Sequence, residues 1–213
     1  MNHSGFKIVY QHYLEAKEVY PRLFEPVVSN NKVIIDGTVD IIDRDKTNWA
    51  TYEVRIVIPE QYPFRVPSLF ETGGQIIKSP DWHVYSDGSC CLAPPAKMYK
   101  ELSDGITLNK WLSKLVIPFL ANHHLKTKTG QYANIEYSHG KEGIREYYRK
   151  WFGTDDDSEI LRKAMYITKM TAYGRNDKCF CGSGKKYKCC HWNMKEYQGV
   201  PIEIIKEDFF YLK

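Results

Sequence analysis

Cys179, Cys181, Cys190 and His191 have the spacing of a metal-ligand set. One residue separates the first two thiols, and an adjacent Cys-His pair closes the set after eight intervening residues. Three thiolates and one imidazole complete a tetrahedral shell suited to Zn²⁺ and leave no open position for a substrate, so the expected metal is structural. Between the two pairs, Gly182-Ser183-Gly184-Lys185-Lys186 supplies the tight turn that brings them together. The segment is too short to bury a core, so metal binding must provide most of its folding free energy. A phosphate-binding loop fits less well, because that pattern requires Gly at 179 and Ser or Thr at 186. The chain has Cys179 and Lys186 there. A disulfide cluster would need an oxidising compartment, and residues 1–17 lack the apolar segment of a secretion signal.

The other two cysteines, Cys90 and Cys91, form a second cluster, and this clustered usage points to a reducing compartment, the cytoplasm. No apolar run approaches the roughly 20 residues needed to span a bilayer. A formal charge of +4 is too small to argue for nucleic acid. Much of the excess sits locally at Arg175, Lys178, Lys185, Lys186 and Lys188, where a solvated face is the simpler reading than an acidic partner. Nucleic-acid binding ranks last, since few aromatics interleave with these cations. With 213 residues, 43% of them hydrophobic, the chain holds one ordinary domain plus a small appendage.

The elements that must position these cysteines follow from periodicity. Ile8, Val9, Tyr13, Ala16, Tyr20 and Phe24 fall near helical spacing over Lys7–Phe24, and Pro21 limits or bends that helix. Val33–Ile42 and Tyr52–Ile58 read as strands around a charged turn at Asp43–Asn48, an antiparallel hairpin. Tyr62-Pro63-Phe64-Arg65-Val66-Pro67 is held extended by its prolines before a short strand at Ser68–Thr72. A long loop from Gly73 to about Asp104 contains Cys90 and Cys91. Thr107 then caps a helix whose apolar face is Leu108, Trp111, Leu112, Leu115, Val116 and Phe119, with Pro118 as a possible kink. Further helices are expected within Lys141–Phe152, introduced by Ser138 and closed by Gly153, and over Ser158–Thr171. His123, His124 and His139 read as surface or cap residues.

Two resemblances attach to these patterns. Residues 174–191 resemble the SEC-C motif, the zinc-binding tail of the SecA translocation motor and of many other bacterial proteins. The resemblance assigns the ligands to Cys179, Cys181, Cys190 and His191, and leaves Cys189 as a spare thiol that could compete with Cys190. The order helix, meander, Tyr-Pro-x-x-x-Pro, cysteine loop, helix over roughly residues 1–125 resembles the ubiquitin-conjugating enzyme (UBC) fold. That likeness implies an α+β architecture, a UBC-like antiparallel four-stranded meander flanked by helices with a small C-terminal zinc module. The corresponding division is 1–153 for the main domain, 154–172 for a helical linker, 173–195 for the zinc module and 196–213 for a tail.

Registering the family's Gly-x-Ile-Cys-Leu on Gly88-Ser89-Cys90-Cys91-Leu92 assigns the nucleophile to Cys91. The family's His-Pro-Asn is replaced by Trp82-His83-Val84-Tyr85, which keeps a histidine and lacks the asparagine. The oxyanion donor could then be His83, Tyr85, a backbone N–H near Gly88, or Asn109, with His83 and Tyr85 favoured. Asp87 could orient or deprotonate the incoming amine, although a turn residue is the simpler reading. In an extended segment neighbours face opposite ways, so Cys90 faces the core if Cys91 faces the cleft. The implied activity is acyl transfer: Cys91 carries a partner protein's C-terminus as a thioester and passes it to a lysine. The chain holds no nucleotide loop for adenylation, so the acyl donor comes from an activating protein or arrives already activated. The variant resembles bacterial members encoded in antiphage operons beside a cyclic-oligonucleotide synthase, a nucleotidyltransferase that would be a candidate substrate. The rival expectation is a catalytically inactive adaptor that binds a partner protein and docks through its zinc module.

Overall fold

Alternate residues are buried along Lys32–Ile42 (β2) and Asn48–Ile58 (β3), the period-two signature of a sheet with one face on a core. In the computed structural model, which describes residues 3–133, 137–170, 173–197 and 199–212, these strands pair antiparallel from Val33↔Ile58 to Ile42↔Asn48. Asp43 makes the turn between them, its carboxylate accepting from the N–H groups of Asp45 and Thr47 at 2.9 Å each. Val27–Ser29 (β1) and Ser68–Glu71 (β4) pair outside them, giving an antiparallel meander in the order β1-β2-β3-β4. The architecture is therefore mixed helix and four-stranded antiparallel sheet. The edge strand β1 is the one element of the meander that has no pattern of its own, being three exposed residues.

The chain divides into two compact units, residues 1–93 with 104–136, and residues 94–103 with 137–213. In the first, helix α1 (His3–Val19) ends earlier than the expected Phe24. Pro21 has no N–H to extend it and disfavours helical geometry at Tyr20. Residues 22–24 instead lie against β2, where the Phe24 N–H donates to the Asp36 carbonyl at 2.7 Å and that of Thr38 to Arg22 at 3.2 Å. Gly37 permits the approach, because a Cβ there would stand 2.5 Å from the Arg22 carbonyl oxygen.

The opposite wall of the core is a long helical run: α3 (Leu108–Trp111), a π-helical segment Leu112–Val116, and α4 (Ile117–Thr129). The Thr107 hydroxyl accepts from the Lys110 N–H at 3.3 Å, as an N-cap does. The wide turn falls just ahead of Pro118, whose ring would otherwise crowd the Lys114 carbonyl. All six residues of the expected apolar face are buried; α3 packs on α1, and α4 lies against β2 and β3, whose buried face is Val33, Ile35, Val39, Val54, Ile56 and Ile58. Each fully buried aliphatic side chain of this kind contributes about 1.5–3 kcal/mol.

The second unit contains α2 (Pro95–Glu101), α5 (Gly140–Phe152), α6 (Asp157–Met170), α7 (Ile202–Leu212) and the cysteine-rich segment. It thus includes α5, which the boundary at 153 had placed with the main domain. Helix α2 lies within the expected loop and opens with proline at its first position, where the missing N–H costs nothing. Gly153 ends α5 in left-handed geometry, φ +65°, as expected. Its N-cap is His139; Ser138 holds Glu146 instead, through its N–H at 2.7 Å and its hydroxyl at 2.5 Å. Asp156 caps α6 by accepting from Ser158 N–H at 2.8 Å, and the expected end of this helix at Thr171 lies outside the described residues. The apolar tail forms α7 and packs on α6, α5 and α2.

Asp208 of α7 is 1% exposed and accepts from the Tyr148 hydroxyl at 3.1 Å. Burial pushes its carboxyl up to about 7, against about 4 in an unfolded chain. A carboxyl raised in the fold contributes fully below pH about 4 and loses that contribution as pH climbs through about 7, up to about 4 kcal/mol in all. Asp208→Asn keeps an acceptor but cannot ionise. It is expected to match the wild type near pH 4 and to exceed it increasingly up to pH 8 in chemical denaturation. A variant less stable than the wild type at pH 8 would refute the burial of a charge here.

Candidate functional site

Residues 83–91 fold back on themselves around a turn at Tyr85–Ser89. The Gly88 N–H donates to the Tyr85 carbonyl and the Tyr85 N–H to the Ser89 carbonyl, both at 2.9 Å, and Gly88 sits at φ +86°. Val84 and Cys90 form an antiparallel bridge, and the Cys91 N–H closes on the His83 carbonyl at 2.7 Å. This brings the Tyr85 hydroxyl to 3.0 Å from Cys91 Sγ. Cys91 is partly buried; that burial pushes its thiol up, and the tyrosine hydrogen bond pulls against it.

Cys90 points the other way. It is 8% exposed, its N–H donates to the Leu69 carbonyl at 2.8 Å, and burial pushes its thiol up to about 12. A thiol held there behaves as a small apolar side chain. Cys90→Ala is expected to cost about 1–2 kcal/mol of stability and to leave the rate of Cys91 alkylation unchanged. A fall in that rate would give Cys90 a part in the chemistry.

The remaining candidates occupy supporting positions. His83 follows the 3₁₀ turn Pro80–Trp82 in left-handed geometry, φ +51°, with its N–H on the Pro80 carbonyl at 2.7 Å and its ring edge-on to Tyr132 at 5.7 Å. Asp87 lies in the turn, its carboxylate accepting from the Ser89 hydroxyl at 2.6 Å and the Ser89 N–H at 2.9 Å. Those bonds, the hydroxyl first, hold its carboxyl below the usual range and make it a poorer base. Asn109 lies in α3, where its carbonyl accepts from the Leu112 N–H.

His123 departs from the expectation of a surface or cap residue. It is 1% exposed, with Nδ1 2.9 Å from the Phe119 carbonyl and Nε2 2.8 Å from the Trp82 carbonyl and 3.0 Å from the Tyr132 hydroxyl. The sequence carries the signal: His123 continues the stripe Leu112, Leu115, Val116, Phe119 at helical spacing.

The metal-ligand candidates converge. The ligand atoms of Cys179, Cys181, Cys190 and His191 all lie within 4.8 Å of one another. Cys181 Sγ is 3.6 Å from Cys190 Sγ, and His191 Nδ1 is 3.2 Å from both Cys179 Sγ and Cys190 Sγ. Tetrahedral Zn–S bonds of about 2.3 Å and Zn–N bonds of about 2.0–2.1 Å place neighbouring ligands roughly 3.5–3.8 Å apart. The donor set fits zinc, with the sulfur pair inside that range and the sulfur–nitrogen pairs slightly below it, and His191 faces the thiols through Nδ1.

Local backbone geometry explains the convergence. Cys179 N–H donates to the Lys185 carbonyl at 2.8 Å, and the intervening turn places Gly182 and Gly184 at φ +79° and +72°. The N–H groups of Cys190 and His191 both donate to the Tyr187 carbonyl at 3.1 Å, so adjacent residues turn toward one point. Cys189 is exposed in the 3₁₀ turn Tyr187–Cys189, which selects Cys190 as the ligand. Ser183 was not a sequence candidate, yet its hydroxyl lies 3.4 Å from Cys190 Sγ. Its hydroxyl and backbone N–H also hold the Cys181 thiol down to about 6. The rings of Phe180 and His191 each lie 5.1 Å from that of Tyr166 of α6, the first tilted and the second edge-on, so the hairpin rests on that helix.

One of the sequence comparisons falls on this segment. The profile of the SEC-C motif matches residues 175–193. The protein translocase subunit SecA of Bordetella petrii is 41% identical over 58 residues, 27% of this chain and 6% of that protein. SecA of Ruthia magnifica is 49% identical over 37 residues, 17% of this chain and 4% of its own length. SecA of Burkholderia pseudomallei is 33% identical over 78 residues, 33% and 8% of the two chains. The chain thus spans under a tenth of the length of these curated relatives. No solved structure matches the chain significantly. Among the described residues no helix is long and apolar enough to cross a membrane. Residues 175–193 carry a SEC-C motif whose cysteine–histidine cluster has the donors and the spacing to hold a metal ion.

Proposed function

We propose that the meander, the cysteine loop and the helix beginning at Leu108 make up a UBC-like unit whose Cys91 transfers an acyl group. The Cys91 thiolate attacks the activated C-terminal carboxyl of a partner protein, a thioester forms, and the activating group leaves. A lysine amine then attacks the thioester carbonyl; an amide forms, and Cys91 departs as thiolate. The observation that carries this reading is the unequal treatment of two adjacent thiols. Cys90 is buried, whereas Cys91 is partly accessible with a tyrosine hydroxyl 3.0 Å from its sulfur. The donor would come from an activating protein or arrive pre-activated, and the resemblance suggests a nucleotidyltransferase of the cyclic-oligonucleotide type as acceptor, in an antiphage setting in the cytoplasm. The zinc module in this reading is structural; it serves as a docking site only if the chain is an adaptor.

One observation favours the adaptor reading. Burial holds the Cys91 thiol up, and Asp87, the nearby acid in sequence, is engaged by Ser89. Trapping decides between the two. In cell extract with the cognate activating protein, Cys91→Ser should accumulate an adduct resistant to reductant. Partner binding without any adduct, in the wild type as in Cys91→Ser, would leave the adaptor reading in its place.

A further inference from the structure

The short 3₁₀ turn Pro80–Trp82 ends in carbonyls that its own helix cannot satisfy. Helix α4 brings a nitrogen-bearing side chain to each of two consecutive ones. Lys126 Nζ donates to the Asp81 carbonyl at 2.6 Å, and His123 Nε2 lies 2.8 Å from that of Trp82. The Lys126 ammonium also lies 4.8 Å from the Trp82 ring centre and 4.0 Å from that of Tyr132, a double cation–π contact. The next residue, His83, takes left-handed backbone geometry, and its carbonyl receives the Cys91 N–H. A continuous path therefore runs from α4 through the carbonyls of 81 and 82 to the backbone of the thiol.

We propose that His123, assisted by Lys126, is a positioning residue for Cys91, fixing residues 81–83 so that the thiol is held beneath the Tyr85 hydroxyl. The inference rests on the reading of Cys91 as the reactive group. A buried imidazole needs a partner for each ring nitrogen, and which element supplies the second one decides what the ring ties together. Here the ring meets the Phe119 carbonyl four residues back and also reaches a carbonyl 41 residues away in sequence. A neutral ring carries one N–H, and placing it on Nε2 bonds the loop.

The test reads thiol geometry without any acyl donor, so its failure is distinct from failure of the transfer reading. Iodoacetamide alkylation of Cys91 is followed by peptide mass spectrometry across pH in the full chain carrying Cys90→Ala. Releasing the loop should expose the thiol and relieve the burial that raises it. A fall of half to one pK unit increases the thiolate fraction about three- to tenfold at fixed pH. His123→Phe, which keeps a ring and removes both nitrogens, should show that increase and a rate profile displaced to lower pH. His123→Gln, whose amide N–H reaches the position of Nε2, should restore the wild-type profile. A folded His123→Phe variant with the wild-type profile overturns the proposal, as does an equal displacement in His123→Gln. Should His123→Phe fail to fold, Lys126→Met carries the test: a displacement in the same direction supports the proposal, and a wild-type profile overturns it.

Discussion

Removing the metal is expected to unfold residues 174–191 while the sheet keeps its protection. Apparent binding energies of structural zinc in small modules are about 10–16 kcal/mol, and little else here could replace them. Within the hairpin the buried side chains are Cys179 and Tyr187. Purified protein should contain one Zn²⁺ per chain by elemental analysis. Cys179→Ser combined with Cys190→Ser should abolish it, and Cys91→Ala should leave it unchanged. Hydrogen exchange supplies the second measurement. Chelation should expose the N–H groups of Cys179, Tyr187, Cys190 and His191, whose acceptors all lie within the segment, without accelerating exchange in β2 and β3. Metal retained by the double variant, or protein without stoichiometric metal, would overturn the site.

That prediction could be framed from sequence alone because metal ligation constrains residue type and spacing together. Cys179, Cys181, Cys190 and His191 were identifiable before any coordinates. The choice between Cys189 and Cys190 was not a spacing question, since it depends on which sulfur the 3₁₀ turn presents inward. The strands were legible for a comparable reason: in β2 and β3 one face is buried, and side-chain alternation records it. Where burial leaves no periodic record, the sequence was silent. Strand β1 is too short to alternate, and Pro94-Pro95 disguised α2 as loop although proline suits a first helical turn. The seat of the C-terminal tail is a tertiary fact, decided by α5, α6 and α2.

Around Cys91 the local contacts are not legible in the sequence. The segment Gly88–Leu92 singled out Cys91, but the parts played by its neighbours depend on backbone turns that no local pattern encodes. Asp87 reads in sequence as a turn residue or a base, and the fold makes it the turn residue, accepting from Ser89. His83 offers an imidazole in sequence, yet its carbonyl is what holds Cys91. His123 reads as a surface or cap residue when only metal ligation is weighed, since no second ligand lies near it in sequence, although its position on an apolar helical stripe places it inside.

Loading of the acyl group is expected to vanish in Cys91→Ala and to stall in Cys91→Ser. Serine can accept the acyl group, but an oxyester is a poorer electrophile than a thioester, so the adduct should accumulate and survive reductant. The more informative variant is Tyr85→Phe. The hydroxyl of Tyr85 stands 3.0 Å from Cys91 Sγ and counters the burial that raises the thiol. A hydrogen bond to a charged acceptor is worth about 1.5–3 kcal/mol, or about ten- to a hundredfold in rate. Because Tyr85 is exposed, its replacement by phenylalanine should change stability little. Loading by Tyr85→Phe should therefore slow by that factor at neutral pH and recover partly as pH rises, because more of the raised thiol then ionises without help. Single-turnover measurement of thioester formation across pH checks both the size and the recovery. An unchanged rate would remove Tyr85 from the chemistry. Normal conjugation by Cys91→Ala would remove the thioester itself, and with it the enzyme reading.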